Sequence, residues 1–158
     1  MACARPALVP ASPAEGLVVP PALASRWGAL APSIRDHVST FLAPDARARG
    51  RMATIRNDLV REPFREDLSR GAPLLRAAFP HLERRLAVIA AGPALTIRIH
   101  CEGSHEGVFY GLLLPTCRRV RFDEVHELTL DGVRITEDRL AIDFPAIIRD
   151  LSTLVVRA

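Results

Sequence analysis

The pattern of apolar and polar positions changes character twice along the chain. From residue 1 to about 32, "MACARPALVPASPAEGLVVPPALASRWGALAP", Ala and Pro dominate and no regular period appears, which predicts a flexible leader with Trp27 as its single large anchor. From Ser33 the spacing turns helical: Ile34, Val38, Phe41 and Leu42 recur behind Pro32-Ser33. A second helix is predicted over about 46–61, with Met52, Ile55 and Leu59 on one stripe, and a third near 73–79 with Leu74, Leu75 and Ala78.

After Pro80 the period becomes two. Leu86/Val88, Leu95/Ile97/Ile99/Cys101, Val120/Phe122 and Leu128/Leu130 alternate with polar residues, as strands with one buried face do. Ala91-Gly92-Pro93, Gly103 to Gly107 and Asp131-Gly132 supply the turns. Helices followed by a strand meander predict an α+β domain over 33–158, its antiparallel or mixed sheet curled around the helices. The 158 residues, 49% of them hydrophobic, suffice for one core.

Composition narrows the chemistry. The net charge is +3, but the basic residues are scattered and acidic ones follow them, so no nucleic-acid stripe stands out. Every basic residue is Arg; the absence of Lys excludes Schiff-base lysines and P-loop phosphate lysines. Pro10, Pro13, Pro20 and Pro21 interrupt the apolar pieces of the N-terminus, so neither a signal peptide nor a membrane span is expected. Cys3, Cys101 and Cys117 are odd in number and lack C-x-x-C spacing, which predicts no disulfide framework, no zinc ribbon and a reducing cytoplasm.

Candidate chemistry sits on 118–143. Val120, Phe122, Glu124, His126, Leu128 and Leu130 share one strand face, and Glu124 and His126 interrupt its apolar stripe. Buried polar groups must be satisfied, so these two either pair with neighbours or face a solvated pocket. On the return strand two registers stay open. A two-residue hairpin turn at Asp131-Gly132 sets Glu137 opposite His126 and Arg139 opposite Glu124, whereas a β-bulge turns Asp138 and Leu140 inward. Either register brings a carboxylate within reach of His126, as general acid/base chemistry needs.

The segments "AAFPHL" (77–82), "GSHEGVFYGLLLPTCRRVRF" (103–122) and "DGVRITEDRLAIDF" (131–144), in this order, resemble the SnoaL-like polyketide cyclases of the nuclear-transport-factor-2-like superfamily. The resemblance implies a cone-shaped α+β fold with an apolar cavity, a homodimer or homotetramer, and aldol-type ring closure of a small apolar substrate without metal or cofactor. His126 falls on the family's oxyanion-stabilising His, His105 on a further family His, and Asp143 on the later Asp of the motif. The general-base position falls on Leu140, which cannot accept a proton. Either catalysis is lost or the base has moved; Asp138, two residues earlier on the same face, is then the candidate, and Glu137 is its rival in the unbulged register. Phe122, Glu124, Leu128, Leu140, His105 and Asp143 are the expected substrate-binding residues. Three functions follow as expectations: a cyclase or isomerase, an epoxide-opening or hydroxylating enzyme in the same cavity, or a ligand-binding module that has lost the base.

Overall fold

The computed structural model describes residues 17–39, 52–56, 64–67, 74–142 and 144–152. Among the described residues seven strands form one mixed sheet: β1 (Leu17–Val18), β2 (Met52–Arg56), β3 (Phe64–Asp67), β4 (Glu83–Ala90), β5 (Leu95–Ser104), β6 (Arg119–Asp131) and β7 (Arg134–Ile142). Their order across the sheet is β1-β4-β5-β6-β7-β2-β3. The centre is an antiparallel meander, β4 to β7, and parallel pairings with β1 and β2 extend it on both sides. Helices α1 (Ala24–Ala29), α2 (Pro32–Ser39), α3 (residues 74–78) and α4 (Phe144–Ser152) complete an α+β architecture.

Each element follows from local chemistry. Pro32 stands at the first position of α2, where its missing N–H costs no hydrogen bond, and Ile34 and Val38 turn one apolar face inward, as their spacing predicts. Helix α3 buries Leu75 and Ala78, also as predicted. Helix α4, which the strand-centred reading did not anticipate, buries Phe144, Ile147 and Leu151 at helical spacing. The core fills the space between these helices and the inner face of the meander, with Ile97, Ile99, Leu128 and Leu140 1% exposed or less.

Four expectations are corrected. The leader is not flexible throughout: Leu17–Val18 adds to β4, and Leu17, Val19, Leu23, Trp27 and Leu30 pack against the core. The helix expected over 46–61 is a strand at 52–56, because Thr54, Ile55 and Arg56 pair with the open edge of β7 and tertiary pairing overrides a helical spacing. The remaining residues of that stretch, and Phe41 and Leu42, lie outside the described residues. In β4 a bulge between Leu86 and Val88 reverses the alternation, leaving Val88 exposed and burying Ile89. Cys117 is disulfide-bonded, against the expectation of no bridge, while Cys101 is free and buried.

Gly107 explains how the long loop after β5 is held. Its N–H and that of Glu106 donate to the Ala78 carbonyl at the end of α3, and a Cβ on Gly107 would stand 1.8 Å from the Ala77 carbonyl oxygen. Only glycine permits that approach. No helix among the described residues is long and apolar enough to cross a membrane.

Candidate active site

The bulged register is the one adopted. Asp131 pairs with Arg134 around a turn at Gly132-Val133, with Gly132 at φ +61°, and a bulge between Thr129 and Leu130 then sets Leu128 opposite Asp138 and His126 opposite Leu140. The extra residue shifts the phase of β7 by one, so Asp138, Leu140 and Ile142 face inward. Glu137 is carried to the outer face, where its carboxylate is 44% exposed and accepts from Arg139 Nε at 3.1 Å. This overturns the pairing of Glu137 with His126 and removes Glu137 from the catalytic candidates.

Inside, a chain of charged groups runs across four elements. His126 is fully buried between two carboxylates: Nδ1 lies 2.8 Å from Asp138 Oδ2 and Nε2 lies 2.6 Å from Glu124 Oε1. Glu124 takes a two-pronged contact from Arg84 of β4, at 2.5 Å and 3.1 Å. The same guanidinium donates to the Val38 and Ser39 carbonyls, satisfying acceptors at the end of α2. At the other end His37, on α2, places Nε2 2.6 Å from the same Asp138 Oδ2. Asp138 therefore accepts from two imidazoles through one oxygen. Its Oδ1 is buried and has no hydrogen-bond partner among the described residues.

Charge states follow from the neighbours. Burial alone would raise Glu124 and Asp138, but Arg84 and His126 outweigh it for the first and His126 and His37 for the second, holding each carboxyl at about 2. Burial opposes charge on His126, yet Asp138 and Glu124 prevail and raise it to about 9. At neutral pH His126 is thus an imidazolium whose two N–H groups each donate to a carboxylate. The Glu124, Asp138, His126 and Arg84 charges balance within the core. Cys101, with Sγ 3.7 Å from Glu124 Oε2, is pushed upward by burial and by Glu124, so it remains a thiol.

The geometry revises His126's expected role. Both ring nitrogens are engaged with carboxylates, so the ring orients Asp138 rather than presenting an N–H to a ligand. Phe122, Leu128 and Leu140 flank the cluster on the inner face, buried to 7% exposure or below. Glu124 is part of the cluster itself. His105 is buried elsewhere, between the Phe79 and Phe109 rings; its Nδ1 accepts the Thr116 N–H at 3.2 Å and so fixes the loop. Asp143 lies outside the described residues. A surface depression of about 270 Å³ is bounded by Ala90–Ala94, Thr96 and Glu127, at the β4–β5 turn rather than at the cluster.

Arg84 and His37 were missed in the sequence, and both carried a signal. Arg84 is in phase with buried Leu86 on β4, and His37 stands three residues after Ile34 on the apolar stripe of α2. Each is a polar residue on a buried face, the same anomaly that drew attention to Glu124 and His126.

With fold and site in view, comparison with known proteins gives the class. The profile of the SnoaL-like polyketide cyclase family matches residues 35–151, and the chain belongs to that family. Among curated proteins no relative matches. Solved structures with a similar fold include a candidate SnoaL-like polyketide cyclase from a Jannaschia species, at TM-score 0.55 and 19% identity over 72% of this chain and 83% of that one. A candidate polyketide cyclase from Bacillus cereus matches at TM-score 0.53 and 14% identity over 87% and 90%. AclR, a candidate hydroxylase from Streptomyces galilaeus, matches at TM-score 0.52 and 22% identity over 67% of each chain. At these identities the likeness is one of fold.

Proposed function

We propose that this protein is a proton-transferring enzyme of the SnoaL-like kind, a cyclase or isomerase of an apolar polyketide-type metabolite, in which Asp138 is the general base. The observation that carries this reading is the asymmetry of the Asp138 carboxylate: Oδ2 is held by His37 and His126, and Oδ1 is buried and unpartnered among the described residues. Two imidazoles fix the carboxylate in its ionised form and aim one oxygen away from them. In the proposed step Oδ1 takes a proton from a carbon beside a carbonyl, and the C–H electron pair moves into the carbonyl to give an enolate. The enolate carbon then bonds to a second carbonyl carbon of the same molecule, and the resulting alkoxide recovers the proton from Oδ1. The His126 charge, 2.8 Å from Asp138, offsets the negative charge as it passes from carboxylate to substrate. No metal or cofactor enters this step, and a homodimer or homotetramer belongs to the same reading.

A second reading rests on Leu140, which occupies the family's base position: the fold keeps a ligand and has lost the chemistry. Turnover of an aromatic polyketide methyl ester separates the two. The first reading expects activity in the natural protein, a fall of about 10²–10⁴-fold in Asp138→Asn, and no loss in Glu137→Gln. An inactive natural protein in which Leu140→Asp restores turnover establishes the second.

A further inference from the structure

Away from the charged cluster, the cysteines and one end of the sheet belong together. Cys117 is disulfide-bonded, whereas Cys101 is a free thiol, 2% exposed. The chain has three cysteines, so the partner of Cys117 is Cys3. Cys3 lies in the stretch 1–16, outside the described residues.

Topology brings the two within reach. Strand β1 runs parallel to β4 with Leu17 beside Arg84, and Arg84 stands beside Cys101 of β5. The last residues of β5, Gly103 and Ser104, pair with Val120 and Arg119 at the start of β6. The starts of β1, β4 and β6 and the end of β5 therefore share one end of the sheet, and Cys117 stands just before β6 begins at Arg119. The chain that precedes Leu17 leaves the sheet at that same end. With strands about 4.8 Å apart, β1 and β6 are separated by about 15 Å. The chain from Cys3 to Leu17 spans up to roughly 45 Å when extended, so the bridge closes without moving the sheet.

The two ends of this stretch differ in character. Cys117 is exposed, in the left-handed backbone region at φ +56°, and its N–H donates to the His105 carbonyl at 2.9 Å. An exposed disulfide is open to attack by a thiolate, which the buried Cys101 is not. Strand β1 has 2 residues and pairs only with β4 among the described residues. A terminal segment of that length frays readily, and fixing its far end removes detached conformations and favours the paired state. The residue it pairs with is Arg84, whose side chain closes the charge balance of the core.

We infer that Cys3 and Cys117 form a redox-sensitive bridge, which makes residues 1–16 a strap across this end of the sheet and holds β1 on Arg84. Closing the bridge joins the two sulfurs and passes two electrons and two protons from the thiols to a low-molecular-weight disulfide such as oxidised glutathione. A dithiol returns them and opens it. The strap uses none of the chemistry assigned to Asp138, so it is tested independently of the proton-transfer reading.

The full chain is equilibrated with oxidised glutathione, alkylated in denaturant without reductant, and cut after Arg and Glu for mass spectrometry. The expected product is residues 1–15 joined to residues 107–118, with Cys101 alkylated on a separate peptide. Dithiothreitol should open the bridge in the folded protein, and amide hydrogen exchange at residues 17–19 should then quicken by about threefold or more. Cys3→Ser and Cys117→Ser should show the faster exchange without reductant, and residues 123–130 of β6 should be unchanged in every state. Alkylation of both Cys3 and Cys117 after oxidised glutathione overturns the strap, as does Cys117 joined to glutathione or to a second chain. A bridge that opens only in denaturant, or exchange at residues 17–19 that ignores the state of the bridge, overturns the redox-sensitive hold on β1.

Discussion

Strands β6 and β7 carry ionisable groups on both faces, and the two faces behave as different media. On the outer face Asp123 meets His100 at 2.6 Å, Arg121 meets Glu102 at 3.0 Å and Glu137 meets Arg139 at 3.1 Å, with Asp123 and Glu137 more than 40% exposed. On the inner face Arg84, Glu124, His126 and Asp138 make contacts of similar length at 7% exposure or less. Residue types and distances are alike; solvent is the difference. Water screens the outer pairs and replaces any partner that is lost, so they contribute little. The inner groups have no such replacement, and each charge persists only because the others balance it. A strand alternation of one residue thus separates a solvated surface from a site with shifted acidities.

The largest effect that sharpens this contrast is removal of a single inner charge. Glu124→Gln leaves Arg84 and His126 buried without their shared anion and should destabilise the protein by about 3–5 kcal/mol in chemical denaturation. A loss no greater than that of an outer-face change would abolish the distinction between the faces.

Next in size is the pH dependence. Asp138 and Glu124 are depressed to about 2, so their contribution is present above the ordinary carboxylate range and is lost as pH falls toward 2. His126 is raised to about 9, so its contribution is complete below its ordinary 6.5 and is lost as pH rises through 9. Stability should therefore plateau between roughly pH 5 and 6.5 and decline by on the order of 2 kcal/mol toward pH 9. His126→Gln should flatten the alkaline decline; a decline that persists unchanged assigns it to other groups.

The smallest effect belongs to the outer face. Glu137→Gln should change stability by no more than about 0.5 kcal/mol, and added salt should erase even that. A larger or salt-insensitive change would mean that this face also meets a low-dielectric surface, such as a second chain.

How much of this was legible in advance varies by residue, for physical reasons. The meander could be read from Val120, Phe122, Leu128 and their polar alternates, because a half-buried strand writes its two faces directly into the sequence. Glu124 and His126 were visible for the same reason, as polar interruptions of an apolar stripe. The stretch 52–56 was misread because Met52, Ile55 and Leu59 satisfy a helical spacing, and only the open edge of β7 makes a strand the better solution. The resemblance placed the family's base position on Leu140, but which neighbouring carboxylate faces inward was not legible. Asp138 and Glu137 are adjacent, and one bulge residue decides which of them enters the core.

What the amino-acid sequence determined alone is the class of fold, the strand that carries the site and two of its buried polar groups, since burial period and local turn chemistry are properties of neighbours in the chain. Only the tertiary structure decided that Asp138 is the inward carboxylate, that Arg84 closes the charge balance, and that His37 reaches it from a helix 101 residues away in sequence. Electrostatic pairing depends on distance in space, and in this chain the bulge in β7 and the packing of α2 set those distances.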